Sequence, residues 1–218
     1  MGRQIVTSLT MGAAVANGIC LVQTDAAGLP LTLNGSLVNS SGVATMDVAR
    51  VISIQSSGND SGITFTINGT PKAAEAGPTI SETISGANAG TVSTTRNFLT
   101  VTSIVPSGPV AGTVTIGTAN IASGPWVVWN NNATDFNVGI AGYVLSGTPT
   151  WQVDYTYDDV FGLWNTAGLL VKTFTLSTMQ GLTGTADGRI SGTSVRASRL
   201  TLTAPGGVQL TQMQQGVV

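Results

Sequence analysis

The acidic residues with the closest spacing are Asp154, Asp158 and Asp159, within Val153-Asp154-Tyr155-Thr156-Tyr157-Asp158-Asp159. Two carboxylates facing each other across a groove can cleave a glycosidic bond. Asp154 and Asp158 share strand parity, so a strand continued through both would turn them to one side. Aspartate oxygens also suit Ca2+, and these three residues are the chain's candidate Ca2+ ligands, although the glycine-spaced loop of an EF-hand is missing. The plainer reading is that Asp158-Asp159 ends a strand and caps the turn after it. That reading is preferred, so no catalytic residue and no cofactor is assigned.

The rest of the sequence offers little reactive chemistry. There is no histidine, which removes the commonest general acid–base and the usual partner of a serine or cysteine nucleophile. Cys20, the single cysteine, has no partner for an intrachain disulfide. Its setting, Gly18-Ile19-Cys20-Leu21-Val22, reads as a buried inert thiol. Gly184-Thr185-Ala186-Asp187-Gly188-Arg189 lacks P-loop spacing and reads as a hairpin loop. The eight Lys and Arg are scattered singly, whereas phosphate backbones are held by clustered positive charge. Direct nucleic-acid binding is not expected. Asn-X-Ser/Thr sequons at Asn34, Asn39, Asn59, Asn68 and Asn132 follow from the abundance of those residue types.

The aromatic residues remain. Trp126, Trp129, Trp151, Tyr155, Tyr157 and Trp164 could stack on sugar rings, or they could form a sandwich core and a subunit interface. Trp151, Val153, Tyr155 and Tyr157 alternate onto one face, opposite Gln152, Asp154 and Thr156, which favours a packed face. The four tryptophans, Trp126, Trp129, Trp151 and Trp164, are the expected interface residues.

The elements that would position these groups are strands. The 28 glycines punctuate Thr-, Ser- and Val-rich runs at the spacing of sandwiches and barrels. Ile63-Thr64-Phe65-Thr66-Ile67 alternates, with Asn68-Gly69 read as a tight turn after it. Residues 51–54, 79–84, 98–105 and 113–116 read as further strands. In the C-terminal part, strands are expected at 126–129, 136–144, 150–157, 171–176, 196–203 and 208–213. The fold class is therefore all-β: antiparallel β-sandwiches, immunoglobulin-like or jelly-roll-like. Two tandem domains are expected, 46–120 and a Trp/Tyr-containing 121–218, preceded by residues 1–45 as an N-terminal arm or first strands. No run approaches the length of a membrane helix, and residues 1–22 do not fit a signal peptide. The chain is expected to be soluble and made in the cytoplasm, with no membrane partner.

Several segments resemble virion structural proteins of tailed bacteriophages, a Gly/Thr/Val-rich β-sandwich group. They include Val48-Ala49-Arg50-Val51-Ile52-Ser53-Ile54, Gly58-Asn59-Asp60-Ser61-Gly62-Ile63-Thr64-Phe65-Thr66-Ile67-Asn68-Gly69-Thr70 and Glu82-Thr83-Ile84-Ser85-Gly86-Ala87-Asn88-Ala89-Gly90. Ser123-Gly124-Pro125-Trp126-Val127-Val128, Phe136-Asn137-Val138-Gly139 and Tyr155-Thr156-Tyr157-Asp158-Asp159-Val160-Phe161 extend the resemblance, which covers roughly residues 40–203. It implies a particle component rather than an enzyme. The expected role is a capsid decoration or cement protein in the virion, with a neck, collar or tail component as the alternative. A glycan-binding host-attachment module is a further alternative, and a polysaccharide hydrolase using Asp154 and Asp158 is the last. Expected partners are further copies of the chain and the major capsid protein or neck and tail proteins, met through residues 1–48 and 126–132.

Charge supports that direction. Only 8% of residues are charged and the net charge is −2, against about 25% charged in an average soluble domain. Such a surface resists association poorly when left free in solution.

Overall fold

The computed structural model describes residues 3–26, 28–71, 79–132, 136–160 and 171–215. Among the described residues the structure is nearly all antiparallel β, and the chain forms two compact units. One is an inserted unit, Ala14–Asn120; the other is a split unit made of Met1–Ala13 and Ile121–Val218. Residues 1–45, expected to be an N-terminal arm or first strands, are shared between the two units. That segment supplies first strands. Its first strand, β1 (Arg3–Met11), pairs residue for residue with the last, β14 (Gly206–Gln214).

The inserted unit contains β2 (Cys20–Gln23), β3 (Ala44–Ser56), β4 (Thr64–Thr70), β5 (Ile80–Ser85), β6 (Thr91–Pro106) and most of β7 (Val114–Ser123). Its ladder runs β7-β3-β6-β4-β5, with β2 also paired to β7. Alternation sets its core: Ile52, Ile54, Phe65, Ile67, Phe98, Val101, Ile104 and Ile116 are fully buried. Arg50 is buried too, held bidentately by Asp47 at 2.7 and 2.8 Å. The turn expected at Asn68-Gly69 is instead strand. β4 continues through it with a bulge, and Asn68 donates to Ser103 Oγ. Gly69 is needed there for proximity, since a Cβ would lie 1.9 Å from the Thr100 carbonyl oxygen.

The split unit holds β1, the end of β7 with β8 (Val127–Val128), β9 (Asn137–Gly147), β10 (Trp151–Thr156), β11 (Phe174–Thr175), β12 (Ala186–Ser191), β13 (Ala197–Leu202) and β14. One sheet is ordered β1-β14-β9-β12. The facing sheet is ordered β11-β10-β13, and β13 pairs beyond with β8 and the end of β7. Taking β7–β8 as one strand and counting along this unit, the sheets read 1-8-3-6 and 2-7-4-5. That is the double Greek key of a jelly roll, one of the two architectures expected. The inserted unit occupies the connection between its first and second strands.

Between the two sheets lie Leu9, Met11, Val138, Ile140, Trp151, Val153, Leu200, Leu202, Val208 and Leu210, all buried. Trp151 lies against Gly142, where an added Cβ would come within 2.1 Å of the indole Cη2. The segment expected to be a hairpin loop at 184–189 is largely β12. Gly188 there lets the strand pass Met179, whose Sδ would lie 2.7 Å from a Cβ.

Candidate interaction surface

The three aspartates do not converge. β10 ends at Thr156, so the strand that would have aligned Asp154 with Asp158 stops between them. Asp154 is buried on the face of β10 opposite Trp151. It accepts hydrogen bonds from Thr201 Oγ1 (2.6 Å), Gln152 Nε2 (2.7 Å) and Thr175 Oγ1 (3.0 Å). Asp158 accepts the backbone N–H of Lys172 at 2.7 Å, bracing a turn, and exposed Asp159 lies 3.8 Å from Arg196. Among the described residues no group of three His, Cys, Asp or Glu could hold a metal ion. The Ca2+ set proposed from spacing is therefore dispersed: two members are structural and the third is on the surface.

Arg199 completes the polar layer around Asp154. Its Nε is buried 3.8 Å from Asp154 Oδ2, and its guanidinium lies 4.4 Å over the ring of Trp126. Burial pushes the guanidinium below its ordinary range, and the neighbouring carboxylate opposes that shift. The layer is thus a charge pair held by hydroxyls and capped by an aromatic face, which fixes β10, β11 and β13 together.

The tryptophans expected at an interface separate by environment. Trp126 is half-exposed beneath Arg199. Trp129 and Trp151 are interior, which corrects their assignment as contact residues. Trp129 Nε1 donates to Ser198 Oγ at 2.8 Å and Trp151 Nε1 to the Gly184 carbonyl at 3.0 Å, so each indole has its polar end satisfied inside the unit. Trp164 lies outside the described residues. Cys20 is fully buried, and burial raises its thiol to about 12 despite the opposing hydrogen bond with Gln23.

Two exposed surfaces take the place of the expected tryptophan patch. The larger is the outer face of the β1-β14-β9-β12 sheet. Its register aligns Val6, Thr211, Ala141 and Asp187 in one row, and Gln4, Met213, Gly139 and Arg189 in the next. Ser8, Gln209 and Tyr143 form a third, across β1, β14 and β9. Val6, Tyr143 and Met213 are 51%, 48% and 45% exposed, and Leu145 further along β9 is 53% exposed. In these rows the only charges are Asp187 and Arg189, both on β12. The signal for this face was present in the alternation Gln4-Val6-Ser8-Thr10 against Ile5-Thr7-Leu9-Met11. Pairing with β14 was not, because no local pattern specifies a partner so distant in sequence.

The smaller surface is a cluster of three rings at the β10–β11 end. Tyr155 and Phe174 stack with centroids 5.6 Å apart, and Tyr157 stands edge-on to both at 5.8 and 5.7 Å. Tyr157 and Phe174 are exposed. Partial burial, followed by the neighbouring Tyr155, holds the Tyr157 hydroxyl above its ordinary range. Sequence parity placed the two tyrosines on one face; Phe174 joins them only through the β10–β11 pairing, Tyr155 opposite Phe174.

No family model matches the chain, and no curated protein matches it in sequence. Among solved structures, it aligns over 94% of its length with 89% of an allantoicase from Saccharomyces cerevisiae, at 10% identity and a TM-score of 0.22. It also aligns over 98% of its length with 71% of VP2 in the infectious bursal disease virus subviral particle, at 8% identity and a TM-score of 0.18. Likenesses at these TM-scores carry no argument about function. Among the described residues no helix is long and apolar enough to cross a membrane.

Proposed function

We propose that this chain is a structural protein of a tailed-phage virion, acting through contact area as a capsid decoration or cement protein. The observation that carries the reading is the exposed sheet face described above: it spans four strands, presents Val6, Tyr143, Leu145 and Met213, and is charged only along β12. Exposed apolar patches of this kind mark sites of association. Each of these side chains is about half exposed, so covering it contributes about half of the roughly 1.5–3 kcal/mol for burying a large apolar side chain. The resemblance over residues 40–203 directs the association toward a virus particle. Neighbouring particle subunits, including other copies of this chain, are the partners in this reading.

The test is the protein content of purified particles. Hundreds of copies per virion correspond to decoration of the head; about a dozen correspond to a neck or tail ring. Absence of the chain from particles refutes the proposal.

The Tyr155–Tyr157–Phe174 cluster favours a second reading, a glycan-binding attachment module, because exposed rings provide faces on which sugars stack. Binding to host-surface polysaccharide that disappears in Tyr157→Ala and Phe174→Ala supports it. Equal binding by both variants removes it.

A further inference from the structure

A strand at the edge of a sheet exposes unpaired backbone N–H and C=O groups, and soluble proteins blunt such edges with charge, proline, bulges or brevity. Among the described residues most edges here are blunted. β12 carries Asp187 and Arg189, β11 is two residues long, β2 is four residues long, and β5 is six residues long and carries Glu82. β1 differs. It runs nine residues without proline, its register with β14 is unbroken, and its one charge, Arg3, is at the end, where it donates to the Val128 carbonyl. The face it turns to the sandwich interior is also incompletely closed along this edge. Leu9 and Met11 are 7% and 1% exposed, whereas Ile5 and Thr7 on the same side remain half-exposed.

We propose that β1 pairs antiparallel with β1 of a second copy of this chain, about a two-fold axis at Thr7, joining two four-stranded sheets into one of eight strands. The inference rests on the reading of the chain as an assembly subunit and names the contact. Register follows from the pleat. The interior faces of two copies coincide only when odd-numbered residues oppose odd-numbered ones, and the arrangement that pairs all nine residues sets Arg3 opposite Met11, Ile5 opposite Leu9 and Thr7 opposite itself. Half-exposed Ile5 then gains an apolar cross-strand neighbour, and Thr7 gains a threonine partner, a favourable cross-strand pair. Val6 lies opposite Ser8 on the outer face, extending the same uncharged surface across the axis. The two Arg3 residues fall at opposite ends of the joint and do not repel. An isologous contact of this kind closes on itself and makes a dimer rather than a fibre.

The experiment uses the full chain in solution and exposed positions of β1. The wild type should have twice the 22.1 kDa monomer mass by light scattering at micromolar concentration. Val6→Lys/Ser8→Lys sets lysine opposite lysine twice across the axis and should raise the dimer dissociation constant at least tenfold, with an unchanged circular dichroism spectrum. Val6→Lys/Ser8→Asp sets lysine opposite aspartate and should restore the dimer. Thr7→Cys should cross-link to itself on mild oxidation, since directly opposed strand residues lie at about 4.5–5.5 Å between Cα atoms. Val6→Cys should cross-link efficiently only when mixed with Ser8→Cys. A wild-type monomer overturns the inference, as does a charge-reversed variant that dimerises no better than the double-lysine one. If particles incorporate the double-lysine variant as well as wild type, the edge contact fails while the virion role stands. If the chain is absent from particles, the virion role fails, and the solution dimer still judges the edge.

Discussion

Gly142→Ala offers the sharpest test of how the jelly roll is held shut. The added Cβ would sit 2.1 Å from Trp151 Cη2, 2.7 Å from Cζ2 and 2.8 Å from Cζ3, whereas carbon atoms pack comfortably at about 3.5–4.0 Å. The indole must therefore retreat by about 1.5 Å. It has little freedom to do so. Trp151 is fully buried, its Nε1 is held by the Gly184 carbonyl, and its backbone exchanges hydrogen bonds of 2.8 and 2.9 Å with Leu182. Overpacking a closed core in this way costs about 1–3 kcal/mol, occasionally more. For a chain of 218 residues that lowers Tm by roughly 2–12 °C. Thermal unfolding followed by tryptophan fluorescence and calorimetry measures the loss. Trp151→Phe removes the part of the ring system that Gly142 faces, so the cost of Gly142→Ala should fall by at least half in that background. A Gly142→Ala protein melting within about 1 °C of wild type, or an equal cost with Phe at 151, would refute this account of the packing.

Three further outcomes are expected. Trp129→Phe deletes the donor to Ser198 Oγ, a buried hydroxyl that also accepts from Gln212 Nε2 at 2.7 Å, and should destabilise by about 1–3 kcal/mol in urea titration. Asp154→Asn removes the carboxylate 3.8 Å from half-buried Arg199 and disturbs the buried acceptor of Thr201, Gln152 and Thr175, and should cost about 1–3 kcal/mol; loss of any catalytic turnover in this variant with unchanged stability would contradict its structural role. Cys20 stays protonated in the folded chain to about 12 and ionises near 9.0 when unfolded. Between those values the unfolded state binds fewer protons, so stability falls as pH rises, by up to about 1.4 kcal/mol per pH unit. Cys20→Ala should flatten that decline in denaturation measurements at pH 8 to 11, and in the wild type a thiol reagent at pH 8 should react only after unfolding.

What the sequence disclosed was the local part of the fold. Ile63-Thr64-Phe65-Thr66-Ile67 announced its strand because Phe65 and Ile67 alternate into a core, and the glycine-rich turns at 58–62 and 86–90 separated neighbouring strands as expected. Asn68-Gly69 misled because a tight turn and a bulge both select this pair: the glycine was needed for closeness to Thr100 rather than for a reversal. The same ambiguity hid β12, where Gly188 makes room for Met179. Asp154 and Asp158 misled because parity holds only while a strand lasts. Trp129 and Trp151 looked like surface anchors because size and aromaticity serve a core as well as an interface; only the partners of their indole nitrogens distinguish the two. The union of β1 with β14 depends on the whole topology, and no window of sequence carries it.

That union has a consequence for how the chain is made. The opening strand of the jelly roll leaves the ribosome first, yet its hydrogen-bonding partner lies beyond Gly206. At roughly 5–20 residues per second, about 10–40 s of translation separate them. During that interval Ala14–Asn120 has all its own strands and can fold, while Arg3–Met11 waits with both edges bare. The newborn chain therefore passes through a stage in which its least protected β segment is tethered to an already folded body. Chaperone binding at this stage should concentrate on Ile5, Val6, Leu9 and Met11, and a ribosome stalled before β14 should leave that segment open to proteases.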